Sequence, residues 1–549
     1  MGQFEDVPVS LYTGKPNISV PIWQAQGRGI TLPISLDYHA SGVRLSEVAP
    51  AVGMNWALTA GGVVTRTVMG RVDDLPGGYL QEGQPVPDQF TTYGEFEALT
   101  NGLRDGQPDI FSFSLPGASG KFVINYDGTV LLFPFQKIDI QNKKTGTEIT
   151  RWTITTTDGT EYTLDENERQ QNTTLETNTS SSSPSSAYNS SWFLSRIETP
   201  QGETINFSYA PHTLNYQLQD SETRYTNFFN SGSCGVLPRN QYYRTTTLIQ
   251  AKRLTQIEVT SSDEIIDFFY EEDRFDLDQD QALTRITITN LLDEVVREFT
   301  LGYQYLQGAA LVTPSLGTTP DDLVRRLMLT SVTESNNGVS KPAYTFEYIT
   351  QNATGRGLPP RLSTAQDHWG FFNNTINTTL CPRQNVTQFV NGQTINFTVT
   401  GGIRSPDATQ GSSLVGVLNK ITYPTGGYTA LEYEPHDYFS PSASELMSKS
   451  FMYTIANEFE GSVGGVGNNI DQFEVGANVD GPVYVNFAYP DDITINPAST
   501  WMKIFPLGST TPVYFSQGFY NATTQTFQEA EITLAPGIYE IEYSGISRT

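Results

Sequence analysis

Apolar and polar residues alternate with a period of two through much of the chain, the pattern of strands with one buried face. Leu32, Ile34, Leu36 and Tyr38 point one way, separated by smaller or polar neighbours. The chain then passes Gly53, Trp56 and Leu58, turns at Gly61-Gly62 and leaves along Val63–Val68 through Arg66. Trp56 and Leu58 read as buried anchors, and the glycines as points where a side chain would obstruct the backbone. Phe111, Phe113 and Leu115 resume the alternation, followed by Phe122, Ile124 and Tyr126. Asp127-Gly128 and Asp158-Gly159 each divide two alternating runs, a strong short-range hairpin signal.

Farther on, one pattern recurs: Leu-x-x-Ile/Val, a turn, then Phe/Leu-x-Tyr. It runs Leu194–Ile197 with Phe207–Tyr209, Leu254–Ile257 with Phe268–Tyr270, and Leu283–Ile286 with Leu301–Tyr303. It returns at Leu329–Val332 with Phe346–Tyr348 and at Leu418–Ile421 with Leu431–Tyr433. Residues 197–209 and 421–433 align without a gap, the latter with Pro424, Gly426 and Tyr433 in register. A repeated hairpin buries its apolar face only by stacking on its neighbours, so the copies predict one continuous winding sheet. The spacings between copies, 60, 29, 46 and 89 residues, place insertions between the units.

The chain therefore reads as all-β, in sections. Residues 1–165 form an N-terminal β region, 166–192 a low-complexity polar loop or linker, and 193–436 the hairpin repeats. After a Pro/Ser-rich connector, 450–549 has short strands between Gly/Pro/Asn turns, as in a β-sandwich or jelly roll. That last part carries eleven Asp/Glu against two Lys/Arg. Residues 72–108 read as a long loop. Asp367–Cys381, with His368, Trp369, Phe371 and Phe372, reads as an aromatic knot packed in the core, the alternative being a sugar-stacking platform.

Composition narrows the function. The 549 residues carry a net charge of −27, which excludes a nucleic-acid surface and disfavours anionic lipid. No apolar run reaches the ~18 residues of a membrane span. The first residues lack a basic head and apolar core, so they are no signal peptide. Cys234 and Cys381 could form one disulfide in an oxidising compartment or remain buried thiols. The four histidines, His39, His212, His368 and His436, match no metalloprotease spacing, and no nucleophile elbow or phosphate loop occurs. No cofactor is expected. Calcium is a weak possibility at Asp276–Asp280, which lacks the Gly and terminal Glu of a calcium loop, or at Asp480, Asp491 and Asp492.

The phrases YHASG, VGMNWALTAGGVVTR, DHWGFFNN and ITYPTGGYTALEYE resemble the N-terminal region of Bacteroidetes RHS/YD-repeat proteins. The opening, with G-x-x-W-x-L and a strand ending in Thr-Arg, is also similar to that of Tc-type toxin B subunits. The resemblance covers about Phe4 to Glu434 and, because it starts almost at once, implies a natural N-terminus upstream. It implies a secreted or cell-surface, non-enzymatic β-shell around a C-terminal cargo or toxin, exported by the type IX route. Its partners would be the rest of the parent chain or its cargo, and the export machinery. The alternative is an adhesion module whose acidic sandwich binds glycan or a protein partner; a polysaccharide-active enzyme ranks third.

Overall fold

The computed structural model describes residues 14–82, 92–176, 181–225, 239–308 (save 263, 291 and 293) and 321–434 (save 391, 392 and 408). Beyond these it describes short stretches between 469 and 548. The chain divides into two compact units, Met1–Gln384 with Thr400–Glu434, and Asn385–Val399 with Pro435–Thr549. Both are built from antiparallel strands. In the second, Asn469–Val475, Gly537–Ser544, Trp501–Pro506 and Tyr514–Gln517 form a four-stranded sheet accompanied by two-stranded ladders. That much of the expected sandwich is described.

In the first unit, Asn17–Gln26, Thr31–His39 and Trp56–Thr59 form a three-stranded sheet whose burial alternates residue by residue. Among the described residues, nineteen strands join in a second sheet. One row runs outward from Tyr188–Glu198 through Val63–Thr67, Ile110–Leu115, Ala118–Ile124 and Val130–Phe133. From the other edge of that strand the row continues through Glu161–Glu176, Glu148–Thr155 and Asp139–Thr145. Phe111, Phe122, Trp152 and Trp192 fill its interior, with ring centroids 5.1–6.0 Å apart.

The hairpin copies follow as a meander from Thr204–Tyr225 to Tyr428–Ala430, each strand pairing with the next. The sheet closes on itself because one strand serves two neighbours. Glu161–Glu176 pairs with Tyr188–Glu198 along its first part and with Arg239–Val259 along its last. This corrects the expectation for residues 166–192, which run largely as paired strand. The misreading has a plain cause: a strand flanked on both edges needs no apolar face when its Thr, Gln and Asn side chains stay half exposed. The expected boundary between 165 and 193 is no seam either, because one core cluster contains residues from both sides. Within 72–108, short helices cover Tyr79–Glu82 and Tyr93–Thr100, the latter capped by Thr92 Oγ1.

Each copy contains the same irregularity. The residue after the leading Leu drops out of the ladder, so Leu254, Leu283, Leu329 and Leu418 face Tyr209, Tyr270, Tyr303 and Tyr348 across a register shift. The displaced residue is Ser195, Thr255, Thr284, Thr330 or Asn419. Four of these hydroxyls donate to the facing strand, at the carbonyls of Thr163, Ser208, Phe269 and Gly302, at 2.9–3.1 Å. The bulge turns the Leu carbonyl towards the Tyr that ends the same copy. Tyr209, Tyr303, Tyr348 and Tyr433 donate to the carbonyls of Leu194, Leu283, Leu329 and Leu418 at 2.5–2.9 Å. Burial pushes all four phenols well above their ordinary range, so they stay neutral donors.

Removing one such hydroxyl strands a buried carbonyl, at about 1–3 kcal/mol. Tyr348 also accepts from Trp56 Nε1 at 2.8 Å, so Tyr348→Phe orphans two buried groups. Tyr348→Phe is expected to cost about 2–5 kcal/mol and Tyr433→Phe about 1–3 kcal/mol, read from urea unfolding midpoints. Equal, negligible shifts would remove the latch from this account.

Candidate functional site

The segment from Tyr38 to Arg66 crosses the bulges of successive copies. A bulge frees the Leu amide as well as its carbonyl, and this segment supplies the acceptors. Leu194 N donates to the Gly62 carbonyl at 2.9 Å and Leu283 N to that of Ala51 at 3.0 Å. Leu418 N donates to the Tyr38 hydroxyl at 2.9 Å. Between these points Met54 N reaches the Leu327 carbonyl at 2.8 Å. Gly53, at φ +99°, lies so close that a Cβ there would stand 2.8 Å from Leu329 N. At Gly62 a Cβ would meet Leu115 at 2.7 Å, and at Gly61 Phe207 at 3.3 Å. Trp56 is fully buried between Tyr38 and Phe346, with centroids at 5.2 and 4.7 Å, and half-buried Leu58 packs against the same core. The segment acts as a strap.

Two buried ionic clusters pin it. Arg274 donates from Nη2 to the Ala49 carbonyl and Arg326 from Nη2 to that of Leu45, at 2.8 and 2.9 Å. Arg274 is held in turn by both oxygens of Asp276 and by Asp280 at 2.8–3.0 Å, and Asp276 also accepts from Leu327 N. Two of the carboxylates considered for calcium, Asp276 and Asp280, are thus engaged by arginine, Asp280 also by Arg253. Burial and then Arg253 push the neighbouring His212 down to about 4, so its imidazole is neutral.

At the far end Arg66 pairs with Asp74 at 2.8 Å and lies 3.6 Å from Asp109. Its guanidinium sits 5.1 Å from the ring centres of both Phe111 and Trp192. Asp73 and Asp109 each accept the other's backbone N–H at 3.0 Å, and Asp74 accepts Ile149 N at 2.7 Å. Burial, and then the Asp109 carboxylate, push Asp73 up to about 8. Burial also raises Asp109. Among the described residues no three or more His, Cys, Asp or Glu side chains converge as metal ligands would. These carboxylates bind backbone amides and a guanidinium, which makes them structural.

The remaining expected positions separate. Pro424 and Gly426 form the last hairpin's turn, where Gly426 takes φ +86° and its amide donates to the Tyr423 carbonyl. The first copy repeats this with Gly202 and Thr199. The aromatic knot splits: Phe372 is buried in the core, whereas Trp369 is 63% exposed, correcting the expectation that both pack inside. The reason is local, since the Asp367 carboxylate ties down Trp369 N and Phe371 N and turns the indole outward. Cys381 Sγ donates to the Glu222 carbonyl, but Cys234 lies outside the described residues, and so does its pairing. Asp480, Asp491, Asp492 and His436 also lie outside them. No helix among the described residues is long and apolar enough to cross a membrane.

No family model matches the chain, and no curated protein does. Solved structures do. A TcdB2-TccC3-Cdc42 crystal structure is similar over 61% of this chain and 16% of that one, at 11% identity and a TM-score of 0.32. The Photorhabdus luminescens Tc holotoxin pore matches 62% of this chain at 12% identity and a TM-score of 0.31. The N-terminal domain of the effector SpvB from Salmonella typhimurium matches over 58% of this chain and 98% of its own, at 11% identity and a TM-score of 0.26. The chain spans 16% of the length of the Tc chains it matches. Such scores carry no argument about activity, which has to come from the geometry.

A carboxyl raised to about 8 keeps a proton in the folded chain that the unfolded chain loses near 4. Stability therefore falls as pH rises between those values. Asp73→Asn preserves an acceptor without the charge. It is expected to gain on the order of 2 kcal/mol at pH 8, little at pH 4–5, and to flatten the dependence of the urea midpoint on pH. An unchanged pH profile would show Asp73 ionised throughout.

Proposed function

We propose that this chain is a non-enzymatic scaffold, the N-terminal part of a larger secreted or cell-surface protein of the RHS/Tc type, which forms the sealed beginning of a β-shell around a C-terminal cargo. The observation that carries this is the pairing of bulge-latched hairpins with a strap across their bulges. Such a meander can be lengthened copy by copy, because each Tyr faces the next copy's Leu. Enzymatic chemistry finds little support: the raised Asp73 and Asp109 carboxyls already accept backbone amides, and Asp276 and Asp280 already hold Arg274. Export by the type IX route, and a parent from the Bacteroidetes, remain parts of this proposal that rest on sequence resemblance.

A second reading, an adhesion module, draws on the C-terminal unit, whose four-stranded sheet and adjoining turns expose Leu507, Val513 and Phe515. The deciding measurement is the mass and domain content of the native product in cells and medium. The shell expects a much larger secreted chain with further Leu-x-x-Ile and Phe-x-Tyr hairpins. A native product of about this size would overturn it, and a glycan array with the isolated chain would then test the adhesin.

A further inference from the structure

The row of strands around Trp152 and Trp192 has two ends, Val130–Phe133 and Asp139–Thr145. Each pairs on one side only among the described residues, the first with Ala118–Ile124 and the second with Glu148–Thr155. The two ends are consecutive in the chain, joined by residues 134–138. At ~3.3–3.6 Å per residue that link holds the open edges within roughly 20 Å of each other where it joins them. Strands in a sheet lie about 4.8 Å apart, so beside the link the opening is at most about three strands wide.

The surface beside this seam is apolar and basic. Lys121 pairs with Phe133 and Val123 with Leu131, so these four side chains share the outer face, while Phe122 and Ile124 face the core. Leu131, Phe133 and Phe135 are 46%, 57% and 80% exposed. Residues 118–147 hold Lys121, Lys137, Lys143 and Lys144 against Asp127 and Asp139, a net charge of +2 in a chain of −27. Four of the ten lysines in the sequence lie here, and all four are exposed. Edges are usually protected by a charge on the edge strand itself, whereas Val130-Leu131-Leu132-Phe133 carries none.

We propose that this seam is a strand-acceptor site that takes an extended acidic polypeptide segment with apolar residues at alternate positions. Its backbone would pair with Val130–Phe133. Its apolar side chains would cover Leu131 and Phe133, and its carboxylates would meet Lys121, Lys143 and Lys144. Open backbone donors and acceptors select a polypeptide over a lipid surface, which has no ladder to offer. Local charge of sign opposite to the whole chain selects an acidic one and speeds its capture.

The test uses the full chain and a short fluorescent peptide alternating glutamate with valine and phenylalanine. A lysine-for-glutamate peptide and anionic phosphatidylserine vesicles serve as comparisons. The acidic peptide is expected to raise anisotropy on binding, more strongly at low salt, and to slow amide exchange in 130–133. The double variant Lys143→Glu/Lys144→Glu and, separately, Phe135→Ser, both changes at exposed positions, should each weaken binding about tenfold or more. Far-ultraviolet circular dichroism of each variant checks that the fold is retained. No binding, equal binding of the lysine peptide, or undiminished binding by the folded variants would overturn the site. So would vesicle binding or self-association that depends on these residues without any peptide binding.

Discussion

A β-bulge inside an apolar core creates a debt in hydrogen bonds. It withdraws an amide and a carbonyl from the ladder, and each costs about 1–3 kcal/mol if left unpaired away from water. This chain places such a bulge after the leading Leu of each hairpin copy and settles both groups with different parts of the sequence. In four of the five copies the carbonyl is met locally, by the Tyr that closes the same copy. The amides of Leu194, Leu283 and Leu418 are met from far away, by the Tyr38–Gly62 strap. The hairpins are therefore complete only when the N-terminal region lies across them, which is why sections that look separable in sequence fold as one unit.

That division decides what could be read in advance. The Leu-x-x-Ile and Phe-x-Tyr copies were legible because local pairing and burial impose them, and Trp56 because so large a side chain between glycines has few places to go. The Ser, Thr or Asn after each Leu is not legible this way, since apolar periodicity carries no signal for the polar residue that defines the bulge. Contacts such as Leu283 N to Ala51 O leave no local trace, because any backbone carbonyl can serve. The strand through 166–176 was missed for the opposite reason: its ladder partners determine it, and its own side chains do not. Trp369 was misplaced because an aromatic cluster looks like core until the Asp367 turn shows which ring faces out.

The ionic clusters show how ambiguous carboxylate spacing is. Asp276 and Asp280 are spaced as cation ligands can be, yet their charge orients Arg274 so that it reaches the Ala49 carbonyl. A buried guanidinium satisfies several acceptors in fixed directions, which favours one path for the strap over others. Stability is the weaker explanation, because desolvating the ions offsets much of their attraction. Asp73 carries this further. With Asp74 and Asp109 beside one Arg66, burial is tolerable when one carboxyl keeps its proton.

The two ends of the meander differ in a way that gives the architecture a direction. Its beginning is enclosed: Tyr188–Glu198 pairs with Thr204–Tyr225 and gives its Leu194 amide to Gly62, Thr204–Tyr225 pairs with Arg239–Val259, and Glu161–Glu176 pairs with the latter. Its last hairpin, Leu418–Thr422 with Tyr428–Ala430, keeps the Tyr433 latch. In the earlier copies that Tyr position faces the Leu of the copy that follows. A structure lengthened by hairpins gains most from rigidity where it begins, since every later register inherits the first. The strap, the three-stranded sheet and both ionic clusters bear on the segments that set this register. On that argument the N-terminal sheet is the template, and the meander is what it templates.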